Sequence, residues 1–186
     1  RFRRFGQPFS LLMLDLDHFK TFNDRHGHSA GDQALRDVSR IMQEKARLYD
    51  RVVRYGGEEF AIILPQTSAE EALFMAERIR EAMAEHRVLY AGEDLGAITI
   101  SIGVAAFPQD ALSMADLVRN ADKALYYAKQ ERNRVRRYQD SQRNHPRYTL
   151  STPLPFRIMS QHGDRLDASA LDMSLGGLSC TAAKSL

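Results

Sequence analysis

Apolar positions fall into blocks whose period changes along the chain. Phe9 to Leu16 is apolar nearly throughout and runs into Asp15-Leu16-Asp17, the pattern of a buried strand. Ala34, Leu35, Val38, Ile41 and Met42 then recur at helical spacing and predict a helix from about Ala30 to Tyr49. Val52-Val53 and Phe60 to Leu64 flank a Gly-Gly pair and predict a hairpin ending at Pro65. Thr67-Ser68 with Glu70-Glu71 opens a second helix, since an N-cap hydroxyl and a glutamate three residues on satisfy each other's backbone N–H groups. Its apolar face is Ala72, Leu73, Ala76, Ile79 and Met83. Ile98, Ile100, Ile102 and Val104 alternate with Thr99, Ser101 and Gly103, which predicts a half-buried strand. Ser113 with Asp116 opens a third helix carrying Leu117, Val118, Ala121, Leu125 and Ala128, and Val135 to Tyr138 is a short last strand.

This order predicts an α/β (α+β) sandwich: a largely antiparallel sheet flanked by helices, with chemistry in the loops at one sheet end. After Tyr138 the pattern changes. Gln139 to His145 is polar, and Pro146, Pro153 and Pro155 interrupt any helical period. The expected boundary lies near Gln139 to Gln142, dividing the chain into residues 1–138 and a shorter β-like segment, residues 139–186.

Composition narrows the function classes. The chain has 186 residues, 44% hydrophobic and 27% charged, which is ordinary for a soluble globular protein. A net charge of +2 is no general nucleic-acid coat, so no nucleic-acid partner is expected. The late arginines, from Arg132 to Arg147, keep one rival reading open: a basic tail with salt-sensitive nucleic-acid binding. The single cysteine, Cys180, excludes an intramolecular disulfide and fits a reducing, cytoplasmic setting. No apolar run reaches the roughly 20 residues that span a bilayer, and a membrane or sensor segment upstream of Arg1 is compatible with the sequence.

The candidate chemistry is concentrated in two places. Asp15 and Asp17 end the first strand, while Gly56-Gly57-Glu58-Glu59 forms the hairpin turn. If the two strands are neighbours, Asp15 and Glu58 converge, and two carboxylates beside close-approach glycines suit Mg²⁺ and a phosphorylated ligand. Lys20, Asn23, His28 and Asp32 follow within one short stretch. Lysine meets phosphate as a point charge, and Asn and Asp can bond the polar edge of a base, but the same residues equally make a loop and a helix start.

Together these elements resemble the GGDEF family, the diguanylate cyclases. The resemblance is carried by Asp15-Leu-Asp-His-Phe-Lys20, Phe22-Asn23-Asp24, Gly27-His28 with Gly31-Asp32, and Arg54-Tyr-Gly-Gly-Glu-Glu-Phe60. Thr99 to Val104, Ala121-Asp122 and Tyr127-Ala128-Lys129 extend it to about Tyr138. It implies a palm-like fold and a homodimer in which each subunit holds one GTP, the product being cyclic di-GMP with two pyrophosphates. The resemblance further implies that Asp15, the Leu16 carbonyl and Glu58 hold Mg²⁺, with Mn²⁺ as an alternative. It implies Asn23 and Asp32 on guanine, with His28 in the same pocket, Lys20 on the phosphates in the transition state, and Glu58 or Glu59 deprotonating the 3′-hydroxyl. Lys129 and Arg132 would grip phosphate. The family usually has a glycine before the Arg-Asn pair, whereas Lys129-Gln130-Glu131-Arg132-Asn133 is one residue shorter, so an adjusted phosphate grip is expected.

Arg47-Leu-Tyr-Asp50 stands where the family carries its RxxD inhibitory site, with Arg78 as a secondary contact, which implies feedback by the product. Arg143-Asn-His-Pro-Arg147 and Asp172-Met-Ser174-Leu-Gly-Gly177 resemble the RxxxR and DxSxxG motifs of PilZ domains, β-barrels that bind cyclic di-GMP. Too few residues follow to close a barrel, so a partial one is expected. The leading reading is an active cyclase joined to a receptor segment. The rival is a catalytically idle GGDEF module serving as a nucleotide or cyclic di-GMP receptor.

Overall fold

The computed structural model describes residues 7–139 and, beyond them, strand backbone over residues 148–159, 165–174 and 177–182. The chain divides into two compact units, Arg1–Ser141 and Gln142–Leu186. In the first unit the order is β1 (Phe9–Leu16), α1 (Phe19–His26), α2 (His28–Lys45), β2 (Arg51–Arg54), β3 (Glu59–Pro65), α3 (Ala69–Glu85), β4 (Leu89–Tyr90), β5 (Glu93–Asp94), β6 (Ile100–Phe107), α4 (Met114–Glu131) and β7 (Val135–Arg137). Five strands form a sheet ordered β2-β3-β1-β6-β7, antiparallel except between β6 and β7.

Strand parity explains how the sheet is covered. Leu12, Leu14 and Leu16 of β1, with Ile62, Leu64, Ile100, Ile102 and Val104 from its neighbours, pack against α2 and α3 through Val38, Met42, Ala76 and Ile79. Phe9, Leu11 and Met13 point the other way and, with Ala61 and Ala105, meet Leu117, Ala121 and Leu125 of α4. Successive side chains alternate faces, so one strand supplies both cores. Each fully buried large apolar side chain contributes about 1.5–3 kcal/mol.

Against this frame some expectations change. β6 begins at Ile100, and its alternation is not that of a half-buried strand: Ile100 to Ala106 are all buried, Ser101 included. The small residues on its second face exist because α4 presses against it. A Cβ on Gly103 would stand 2.2 Å from the Leu125 amide nitrogen and 2.3 Å from the Ala121 carbonyl oxygen. The expected helix from Ala30 to Tyr49 begins at His28 and ends at Lys45. An additional short helix, α1, precedes it. Its polar sequence hides it, since only Phe19 is buried, with Phe22 stacked on that ring at 6.4 Å. The hairpin of β4 and β5 also lacks a periodic signal, each strand being two residues long. The helix starts hold: Ser68 and Glu71 form a reciprocal capping box on α3, and Ser113 accepts from the Asp116 amide at the start of α4.

In the second unit β8 (Tyr148–Met159), β9 (Arg165–Ser174) and β10 (Gly177–Ala182) form an antiparallel sheet ordered β10-β9-β8. Irregularities interrupt the pairing between Thr149 and Leu154 and between Ser179 and Cys180.

Candidate active site

The polar end of the α4-facing core is the candidate site. Odd positions of β1 face α4, so after Phe9, Leu11 and Met13 the same row continues as Asp15 and Asp17. On α4 the stripe Leu117, Ala121, Leu125 continues one turn further to Lys129. The two rows therefore meet. Lys129 Nζ lies 2.5 Å from Asp15 Oδ1 and 3.5 Å from Asp17 Oδ1, and it donates to the Leu16 carbonyl at 2.9 Å.

The hairpin brings its carboxylates to this point. Asp15 is opposite Glu59 in the β1–β3 register, and the Leu16 amide donates to the Glu58 carbonyl at 3.3 Å. The turn is closed by Tyr55 and Gly56 amides on the Glu59 carbonyl, and by Arg54, whose guanidinium donates twice to the Gly57 carbonyl at 3.1 and 2.6 Å. Burial pushes the Asp15 carboxyl above its ordinary range, with Glu59 and Asp17 adding to the rise and Lys129 opposing it. Glu58 is raised too, first by burial and then by the Asp15 charge. Carboxylates that repel one another in this way gain from a cation between them.

That donor set fits a hard divalent cation: the Asp15 carboxylate and the Leu16 carbonyl already meet a positive charge whose field extends to Glu58. Among the described residues no three His, Cys, Asp or Glu side chains form a metal cage. Mg²⁺ needs none, because it keeps few protein ligands and completes its shell with phosphate oxygens and water.

Asp17, read in the sequence only as a strand end, is the buried hub of the site. It accepts from Thr99 Oγ1, Ser101 Oγ and the Asn133 amide, each at 2.8 Å. It thus ties β6 and the turn after α4 to the strand end that carries Asp15. The signal was available: Asp15 and Asp17 share parity, and so do Thr99, just before β6, and Ser101 within it.

The remaining candidates lie on α1 and α2. Lys20 is exposed on the first turn of α1, and His28 is the exposed first residue of α2. Asn23 closes onto α2: a Cβ on Gly31 would stand 1.8 Å from Asn23 Oδ1, so glycine at 31 gives this amide its place beside Asp32. Asn23 Oδ1 is buried without a hydrogen-bond partner among the described residues. Asp32 lines an open depression of about 310 Å³ with Arg54, which links α2 to the glycine hairpin.

The family model for the diguanylate cyclase GGDEF domain matches residues 1–134. The chain belongs to the GGDEF family. It is 46% identical to diguanylate cyclase A of Treponema denticola over 130 residues, covering 69% of this chain and 35% of the relative. To diguanylate cyclase DosC of Escherichia coli it is 45% identical over 134 residues, covering 71% and 29%. The chain thus spans about a third of the length of these relatives. It is also similar to the crystal structure of the GGDEF domain of DgcB from Caulobacter crescentus in complex with c-di-GMP, with a TM-score of 0.68 and 39% identity, covering 72% of this chain and 80% of that one. The active GGEEF domain of a Vibrio cholerae diguanylate cyclase aligns with a TM-score of 0.67 and 37% identity, covering 73% and 86%.

This GGDEF domain manages its missing glycine by strain. Arg132 caps α4 at φ 57° and ψ 164°, followed by Asn133 at φ 45°. The Arg132 conformation is one that only glycine adopts freely. Arg132→Gly is expected to raise stability by about 1 kcal/mol, read as an upward shift in thermal unfolding of roughly 3 °C. An unchanged or lower midpoint would show that the turn is not strained.

The Arg47–Asp50 run is a turn beyond the end of α2. Buried Asp50 folds back so that its Oδ2 accepts from the Arg47 amide at 2.6 Å. Both residues, with Tyr49, Pro65 and Gln66, line a depression of about 550 Å³. Arg78 is not part of that lining, and its guanidinium lies 5.9 Å from the Phe74 ring centroid. In the second unit Asp172 and Ser174 fall on β9 and Gly177 opens β10, paired with Ser174, while Arg143 and Arg147 lie outside the described residues. Among the described residues no helix is long and apolar enough to cross a membrane.

Proposed function

We propose that this chain is a diguanylate cyclase that joins two GTP molecules into cyclic di-GMP. The observation that carries the reading is the meeting of Asp15 and the Leu16 carbonyl on the Lys129 ammonium, whose charge also reaches Glu58, with Asn23 packed on Gly31 next to Asp32. In the reaction each 3′-oxygen bonds to the α-phosphorus of the other GTP, and each α–β phosphoanhydride bond breaks to release pyrophosphate. Asp15, Leu16 and Glu58 would hold Mg²⁺ or Mn²⁺, which supplies charge neutralisation on the phosphates. The Asn23 side-chain amide and the Asp32 carboxylate would read the polar edge of guanine, with His28 in the same pocket. Lys20, Lys129 and Arg132 face the triphosphate as cations. Glu58 or Glu59 takes the 3′-hydroxyl proton. Each subunit orients only one of the two reacting nucleotides, so a homodimer follows from the chemistry.

The Arg47–Asp50 depression is proposed as an inhibitory site for the product, with Arg78 as a further contact. Arginine there would fork to phosphate and stack on guanine. The PilZ-like reading of Arg143, Arg147, Asp172, Ser174 and Gly177 rests on sequence alone and proposes a second product site in residues 139–186.

Purified protein given GTP and Mg²⁺ is expected to yield cyclic di-GMP and pyrophosphate in a ratio of 1:2, at a rate that rises more steeply than protein concentration. No product at high protein concentration overturns the enzyme reading in favour of an idle receptor. In the same preparations Arg47→Ala is expected to weaken cyclic di-GMP binding by about tenfold or more, since a charged hydrogen-bond donor is lost. A titration of Arg147→Ala separates the two product sites, and unchanged binding in both variants would refute both.

A further inference from the structure

Lys129 does not stand apart from the carboxylates in wait for a phosphate. Its ammonium is surrounded by Asp15 Oδ1, the Leu16 carbonyl and Asp17 Oδ1, and its charge also reaches Glu58. Asp15 and Leu16 are two of the three groups assigned above to the divalent cation. The ammonium is largely enclosed, its side chain 27% exposed against 18% for Asp15 and none for Asp17. A partly buried cation held by three oxygens satisfies charges that would otherwise be costly to leave alone.

We propose that Lys129 is a built-in counter-ion for the metal ligands, competing with the divalent cation for the Asp15 and Leu16 oxygens. This inference rests on the metal assignment made under Proposed function. A divalent ion and an ammonium repel one another when both crowd the Asp15 and Leu16 oxygens, so the entering cation pushes the ammonium away. Lys129 sits on the last turn of α4, and its four-carbon stem lets the charge swing while the backbone stays fixed. Asp17 keeps its three hydrogen bonds throughout and holds the turn after α4 in place. The released ammonium then faces the same space as the triphosphate. Metal entry and phosphate grip become one coupled event: the bare ion binds weakly, and the ion arriving with a nucleotide binds well because Lys129 gains a new anionic partner. The competition acts on bare-ion binding as a coupling free energy.

The test uses Mn²⁺ alone, without nucleotide, and reads free ion from its electron paramagnetic resonance signal on the full chain. Lys129→Met and Lys129→Gln are each expected to bind Mn²⁺ at least about fivefold more tightly than wild type, whereas Lys129→Arg keeps wild-type affinity. Asp15→Asn introduced into the Met or Gln variant is expected to abolish the gain. Equal or weaker Mn²⁺ binding by both neutral variants, still dependent on Asp15, overturns the counter-ion role and leaves the metal assignment standing. Mn²⁺ binding that ignores Asp15 in every variant overturns the metal assignment and this inference with it. The two neutral variants differ in polarity, so misfolding of one leaves the other to decide.

Discussion

Glu58→Gln is expected to lower cyclic di-GMP synthesis by about 10³-fold or more, a loss of roughly 4 kcal/mol of transition-state stabilisation. The substitution keeps the shape and removes one charge from the proposed cation site, which has only two carboxylates and a carbonyl. With Gln at 58, Asp15 is the one carboxylate left to the proposed divalent ion, and it also pairs with Lys129. The guanine contacts proposed for Asn23 and Asp32 should be untouched, because these residues belong to α1 and α2 rather than to the hairpin. The variant should therefore bind GTP without added metal about as wild type does, while its turnover with Mg²⁺ collapses. Its thermal stability should equal or slightly exceed wild type, since burial and the Asp15 charge already work against an ionised Glu58. Steady-state turnover with Mg²⁺, GTP binding and a melting curve together check this. A variant that keeps more than about a tenth of wild-type turnover would remove Glu58 from the machinery.

Gly103→Val should be the most damaging single change to the fold of the first unit. The residue lies mid-strand in β6, opposite Met13 of β1, at the point where α4 comes closest. Its added Cβ would press on backbone atoms, the Leu125 nitrogen and the Ala121 carbonyl, and not on side chains that could turn aside. Relief requires α4 to move outward, opening the core that Leu117, Ala121 and Leu125 fill. The expected cost is about 3 kcal/mol or more, a fall of roughly 10 °C in the unfolding midpoint. Activity should fall as well, because Lys129 lies one turn beyond Leu125 on the displaced helix. Gly103→Ala should show the same signs at smaller size. A Val variant melting within about 2 °C of wild type would mean that the helix is not held against this strand.

Much of this domain was legible in the residues because local chemistry and tertiary role agree. The Ser68–Glu71 box, the Ser113 cap and the i, i+4 stripes of α2, α3 and α4 declare themselves through short-range geometry. The glycine hairpin likewise closes on itself through Arg54 and Gly57. α1 was less readable, since eight mostly polar residues bury only one ring and their helix is held by what surrounds it. β6 was misread for a related reason. Ser101 and Gly103 look like a solvent face in isolation, yet one feeds a hydrogen bond to buried Asp17 and the other admits a helix backbone.

By itself, then, the sequence determined the longer elements, the family and the roster of acidic, basic and amide groups, because period, caps and motif spacing are short-range properties. Only the tertiary structure decided how that roster is wired. Strand parity and the α4 stripe, acting across 113 residues of chain, put Lys129 on Leu16 and beside Asp15. The same packing buried Asp17 as the anchor of the turn at Asn133 and forced Arg132 into a glycine-like conformation. Spacing along the chain carries no information about which charge stands against which; that is fixed by which faces of the sheet and helices must be buried together.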